Sequence, residues 1–145
     1  MEKYLELKEK IAQAVKENLQ DAIALNDDLA DHPELSGEEY ESSRKIVELL
    51  KRKGFDVEYP FAGLPTSFKA TYGRNDHKYK VAIMTEYDAL PGIGHACGHC
   101  VSGAISVLAG GIQAAGRVGR GYRCDRYSDR RNRRREMRAN QKRCL

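Results

Sequence analysis

The stretch Val81-Ala82-Ile83-Met84-Thr85-Glu86-Tyr87-Asp88-Ala89-Leu90-Pro91-Gly92-Ile93-Gly94-His95-Ala96-Cys97-Gly98-His99-Cys100 decides how the chain is read. Its first four residues are apolar, and with Tyr79 and Lys80 before them they predict a strand over 79–85, of a kind that suits a sheet buried on both faces. Immediately after it, Glu86, Asp88, His95, Cys97, His99 and Cys100 crowd into one short segment. In open α/β sheets the crevice at the carboxyl ends of the strands is where sites form. Gly92, Gly94 and Gly98 allow tight turns there, and Pro91 stiffens the entry.

Elements on either side fit an α/β domain. Glu2 to about Ala30 reads as one long amphipathic helix, with Ile11, Val15, Leu19, Ala22 and Ile23 on the expected apolar face. His32-Pro33 ends it, since proline disfavours helical geometry in its predecessor. Ser36 is the expected start of a second helix, with Glu39 completing a capping box, Ile46, Val47, Leu49 and Leu50 on the buried face, and Gly54 at a left-handed stop. The period then changes to alternation: Phe55, Val57 and Tyr59 predict one strand, and Phe68, Ala70 and Tyr72 a second, followed by a turn at 73–76. A helix of small residues is expected from Val101 to about Ala115, with Ile105, Leu108 and Ile112 on one side. The order is two helices, three strands and one helix.

Cys97 and His99 are two positions apart, so a thiolate and an imidazole from one loop can meet the same divalent cation. Glu86 and Asp88 have the same spacing, and on extended backbone they point the same way. One could bind a metal while the other accepts a hydrogen bond that orients a histidine ligand. A structural zinc knuckle built from Cys97, Cys100 and two histidines is the competing reading, because the spacing is also C-x-x-C.

Thr85 to His99 resembles the signature of metallopeptidase family twenty, amidohydrolases that include aminoacylases, aminobenzoyl-glutamate hydrolases and aminoacylase-like dipeptidases. His32-Pro33-Glu34-Leu35-Ser36, Glu39-Tyr40 and Gly63-Leu64-Pro65-Thr66 extend the likeness, which runs from about Glu17 to Gly111. The Glu86-Tyr87-Asp88 form looks most like the branch holding the B-type aminobenzoyl-glutamate hydrolase polypeptide and the dipeptidase-like members. The resemblance implies the first part of a zinc-peptidase-like α/β catalytic domain. It implies Cys97 and His99 as metal ligands, Asp88 as the carboxylate behind the site, and Glu86 as a further candidate ligand. His95 matches the signature without an assigned task, and Cys100 departs from the Asp or Asn usual at its position. The implied reaction is hydrolysis of an amide in an N-acyl or aminobenzoyl amino acid or a dipeptide. One or two zinc or manganese ions would activate a water, and a glutamate in a Gly-Thr-Pro-x-Glu-Glu segment would serve as general base. No such segment occurs in this sequence.

Composition is consistent with that outline and narrows it. The 145 residues carry a net charge of +4 and suffice for one ordinary domain. No apolar run is long enough to span a membrane, and the charged start lacks the core of a secretory signal, so a cytoplasmic protein is expected. The charge is divided: residues 1–116 balance at −5, whereas 117–145 balance at +9 and use eleven Arg with a single Lys. Three readings of 117–145 compete: a disordered basic extension, an arm for nucleic acid, and a segment translated out of frame. Degenerate codons for 122–144, moved by one nucleotide, can encode a strand followed by Gly-Thr-Pro-Thr-Glu-Glu. The shifted frame is therefore the preferred expectation, with nucleic acid not the expected partner. The expected partner is a small amide or dipeptide, a homo-oligomer is open, and the chain alone is expected to be inactive.

Overall fold

A computed structural model describes residues 1–73, 81–114 and 122–125. The turn expected at 73–76, all but its first residue, and most of the 117–145 segment lie outside the described residues. Helix α1 spans Glu2–Asp31 and α2 Tyr40–Arg52. Strands β1 (Asp56–Glu58), β2 (Lys69–Thr71) and β3 (Val81–Met84) precede helix α3 (His99–Ala114) and strand β4 (Tyr122–Asp125). The sheet order is β1-β2-β4-β3; β1–β2 and β2–β4 are antiparallel, and β3–β4 is parallel. Parallel neighbours need a crossover, and α3 provides it.

The core joins Leu25 and Leu29 of α1, the α2 face Ile46, Val47, Leu49 and Leu50, and Phe55, Phe68, Ala70, Tyr87, Cys100 and Val107. The α2 face and both alternating strands follow the expected pattern. At the end of α2, Gly54 takes φ +84° while the Phe55 amide returns to the Leu50 carbonyl, which closes the helix with a left-handed residue.

Several expectations are corrected. Ser36 does not cap α2. The helix starts at Tyr40 after a turn through Gly37, and its cap comes from outside: the Glu34 carboxylate accepts from the amides of Glu41 (3.1 Å) and Ser42 (2.7 Å). A longer side chain thereby satisfies two of the donors that every helix start leaves open. The buried face of α1 is Ala14, Asn18, Ala22, Leu25 and Leu29, whereas Leu19 and Ile23 are exposed. On α3, Ala104 and Val107 are buried and Ile105 is 59% exposed. Helices α1 and α3 pack against each other, closely enough that a Cβ added at Gly111 would stand 3.1 Å from the Asn18 amide oxygen. Strand β3 is not buried on both faces: among the described residues it lies at the sheet edge, with Val81 48% and Met84 58% exposed. A fourth strand, β4, lies within the 117–145 segment, so that segment is not structureless throughout.

Candidate metal centre

In the segment after β3 burial alternates: Thr85, Tyr87 and Ala89 are buried, and Glu86 and Asp88 between them are half-buried. Tyr87 turns inward: it is fully buried, stacks on Phe68 with ring centroids 6.0 Å apart, and donates from its hydroxyl to the Thr66 carbonyl at 2.6 Å. Its neighbours Glu86 and Asp88 reach the other way, to His99 at the first turn of α3. The Ala89 amide donates to the Glu34 carbonyl (2.7 Å), and Leu35 pairs with Ala89 as a parallel bridge. The His32–Ser36 loop therefore props the segment from behind. Helix α3 closes the other side, where the Glu86 carbonyl oxygen would lie 2.6 Å from a Cβ at Gly103, so only glycine admits this approach.

His99 sits between two carboxylates. Its Nδ1 lies 2.9 Å from Asp88 Oδ1 and 3.1 Å from the Asp88 carbonyl, and its Nε2 lies 3.4 Å from Glu86 Oε2. Both neighbours of Nδ1 are acceptors, so Nδ1 carries the proton. In a neutral ring Nε2 then presents a lone pair to the Glu86 carboxylate. Two electron pairs facing each other call for a cation between them or a second proton on the ring. With metal–ligand bonds of about 2.1 Å, donors 3.4 Å apart subtend roughly 108° at a shared ion, a tetrahedral value. The donor pair fits a divalent ion, and Asp88 holds the imidazole as outer carboxylates do in metal sites.

Cys97 is exposed, and its thiol points to the Asp88 carbonyl at 3.8 Å. Asp88 thus collects both Cys97 and His99. Among the described residues no three His, Cys, Asp or Glu side chains already converge on one point, so Cys97 does not join Glu86 and His99 in a closed shell. Cys100 is 6% exposed and belongs to the apolar core, away from the exposed Cys97, which argues against a knuckle sharing the two sulfurs. His95 is half-buried, with the Leu29 backbone beside its ring. Burial, followed by the nearby His99, pushes its pKa below the usual histidine value.

The functions of Glu34, Glu39 and Thr66 escape a reading based on periodicity. Glu39 is fully buried and accepts from Thr66 Oγ1 at 2.7 Å. A hint exists in the sequence, where Glu34 and Glu39 flank the start of an amphipathic helix and Thr66 follows a proline turn, but spacing alone does not join them to Tyr87.

Strand, loop and helix arranged in this way make an α/β domain with its polar cluster beyond the end of β3. No family model matches the chain. The chain is 32% identical over 118 residues to the Xaa-Arg dipeptidase of Mus musculus, a match covering 75% of this chain and 27% of that protein. It is 29% identical over 116 residues to a p-aminobenzoyl-glutamate hydrolase polypeptide of Escherichia coli, covering 68% of this chain and 24% of the relative. Among solved structures, a Bacillus subtilis dinuclear metal binding peptidase from the M20 family superposes with TM-score 0.66 at 26% identity, over 75% of this chain and 34% of that one. The chain belongs to metallopeptidase family twenty. It spans about a quarter to a third of the length of these relatives.

Proposed function

We propose that the chain carries part of the metal centre of an amidohydrolase or dipeptidase, with Cys97, His99 and Glu86 as donors and Asp88 as the group that orients His99. The observation that carries this reading is the 3.4 Å gap between His99 Nε2 and Glu86 Oε2, with Nδ1 committed to Asp88. When bound, a divalent ion would supply Lewis-acid polarisation of an amide carbonyl and a more acidic bound water. The chain's own residues hold and orient. Asp88 fixes the tautomer and direction of the ring, Glu86 balances the ion's charge, and Cys97 on its exposed loop can swing in as a thiolate.

A thiolate beside an imidazole favours zinc over manganese. The names of the relatives support an N-acyl or aminobenzoyl amino acid or a dipeptide as substrate. A cytoplasmic setting suits the free thiols of Cys97 and Cys100 among the described residues, and a homo-oligomer is the proposed assembly. Residues 117–145 are proposed to be read out of frame, so that the chain alone binds metal weakly and hydrolyses amides negligibly. Equilibrium dialysis of the purified 145-residue chain against zinc and manganese tests the centre. Retention should fall in Cys97→Ser and His99→Asn by more than the roughly 10- to 100-fold that an outer partner is worth. Unchanged retention in the double variant would refute the assignment.

A further inference from the structure

Glu39, Thr66 and Tyr87 come from three separate parts of the chain, and all three are at least 98% buried. The Thr66 hydroxyl donates to Glu39 Oε2 at 2.7 Å, and the Thr66 carbonyl accepts the Tyr87 hydroxyl at 2.6 Å. Thr66 thus links a buried carboxylate at the start of α2 to the inward anchor of the site segment. Placing a carboxylate in a core is costly, and a threonine and a tyrosine spent on it are more polar equipment than the apolar packing around Phe68 requires. Tyr87 is flanked by the two residues that bracket His99. On extended backbone, fixing one side chain fixes the direction of both neighbours on the opposite side.

We propose that Glu39, Thr66 and Tyr87 form a positioning relay that sets how far Glu86 and Asp88 reach toward His99. The relay touches neither an ion nor a substrate. Glu39 holds Thr66, Thr66 locates the Tyr87 ring tip, and the ring sets the rotation of the segment between Glu86 and Asp88. A shift of a few tenths of an ångström at Tyr87 passes directly to the 2.9 Å contact between Asp88 and His99. The consequence for metal affinity rests on the metal-centre reading above, whereas the consequence for the His99–Asp88 pair does not.

The test uses the full 145-residue chain, labelled with nitrogen-15, and the variants Tyr87→Phe, Thr66→Val and Thr66→Ser. The ring-nitrogen and Nδ1–H resonances of His99 are recorded without metal, and each protein is titrated with cobalt(II) while its absorption spectrum is followed. Tyr87→Phe and Thr66→Val are expected to shift or broaden the Nδ1–H signal and to weaken cobalt binding by about tenfold. Thr66→Ser, which keeps the hydroxyl, should behave as the parent chain. Parent-like resonances in Tyr87→Phe or Thr66→Val overturn the relay, as does a change in Thr66→Ser equal to that in Thr66→Val. If Thr66→Val does not fold, the milder Tyr87→Phe decides. A parent chain that ignores cobalt refutes the metal reading and leaves the relay to be judged on the His99 signals.

Discussion

Replacing Gly103 by alanine probes the closest approach around the site. A Cβ at this position would lie 2.6 Å from the Glu86 carbonyl oxygen and 3.6 Å from the Tyr87 Cβ. The first distance falls about 0.8 Å short of ordinary contact, and the obstructing atom is main chain, which cannot rotate aside. Overpacking of this kind costs about 1–3 kcal/mol, and rigid backbone places it toward the upper end. Alanine also favours the helix over glycine by about 1 kcal/mol. The two opposed effects leave Gly103→Ala destabilised by about 2 kcal/mol, read as a lower urea midpoint at unchanged slope. Relief comes by moving α3 away from Glu86, which widens the 3.4 Å gap to His99, so zinc retention should fall as well. Val101→Ala, on the exposed side of the same helix, should stay within about 0.5 kcal/mol. A Gly103→Ala protein more stable than the parent by about 1 kcal/mol, as in an open helix, would refute the close approach.

Cys97 and Cys100 should separate two properties. Cys97→Ser lowers zinc retention with little change in the urea midpoint, whereas Cys100→Ser places a hydroxyl in the apolar core, costs about 1–3 kcal/mol and leaves retention alone. Glu34→Ala removes the acceptor for two amides at the start of α2 and should cost about 1–2 kcal/mol by urea denaturation; an unchanged midpoint would show those amides to be satisfied otherwise. His95 has a lowered pKa in the folded chain, so the unfolded chain takes up its proton first. Its share of stability is intact above about pH 6.5 and erodes as pH falls below that value, and His95→Phe should flatten this part of the metal-free stability–pH curve.

Large apolar residues at a regular period made α2 and the two alternating strands legible, because Ile46, Leu50, Phe68 and Ala70 do occupy the interior. The same rule misplaces the buried sides of α1 and α3. There the buried positions include Ala14, Ala22 and Ala104, with Gly111 set close against Asn18, and Ile23 and Ile105 are left outside. Size marks a buried side only where the neighbour is distant enough to need filling. At the site, the crowding of Glu86, Asp88, Cys97 and His99 was visible as local spacing. What holds them was not, since the Glu34, Thr66 and Gly103 contacts join residues far apart in sequence or depend on the absence of a side chain. The edge position of β3 was equally hidden, because a run of four apolar residues reads the same at an edge as in the middle of a sheet.

Glu34 serves two masters: its carbonyl receives the Ala89 amide while its carboxylate caps α2. Closing that contact brings together parts of the chain separated by more than fifty residues, and such loops form slowly beside a single helical turn. Folding therefore has an order. The helices can take shape early, whereas the segment carrying the two carboxylates gains its backing from the Glu34 carbonyl only once the ends of this long loop have met. During refolding, cobalt colour should accordingly lag behind the far-ultraviolet helix signal, making metal uptake a clock for the last tertiary step.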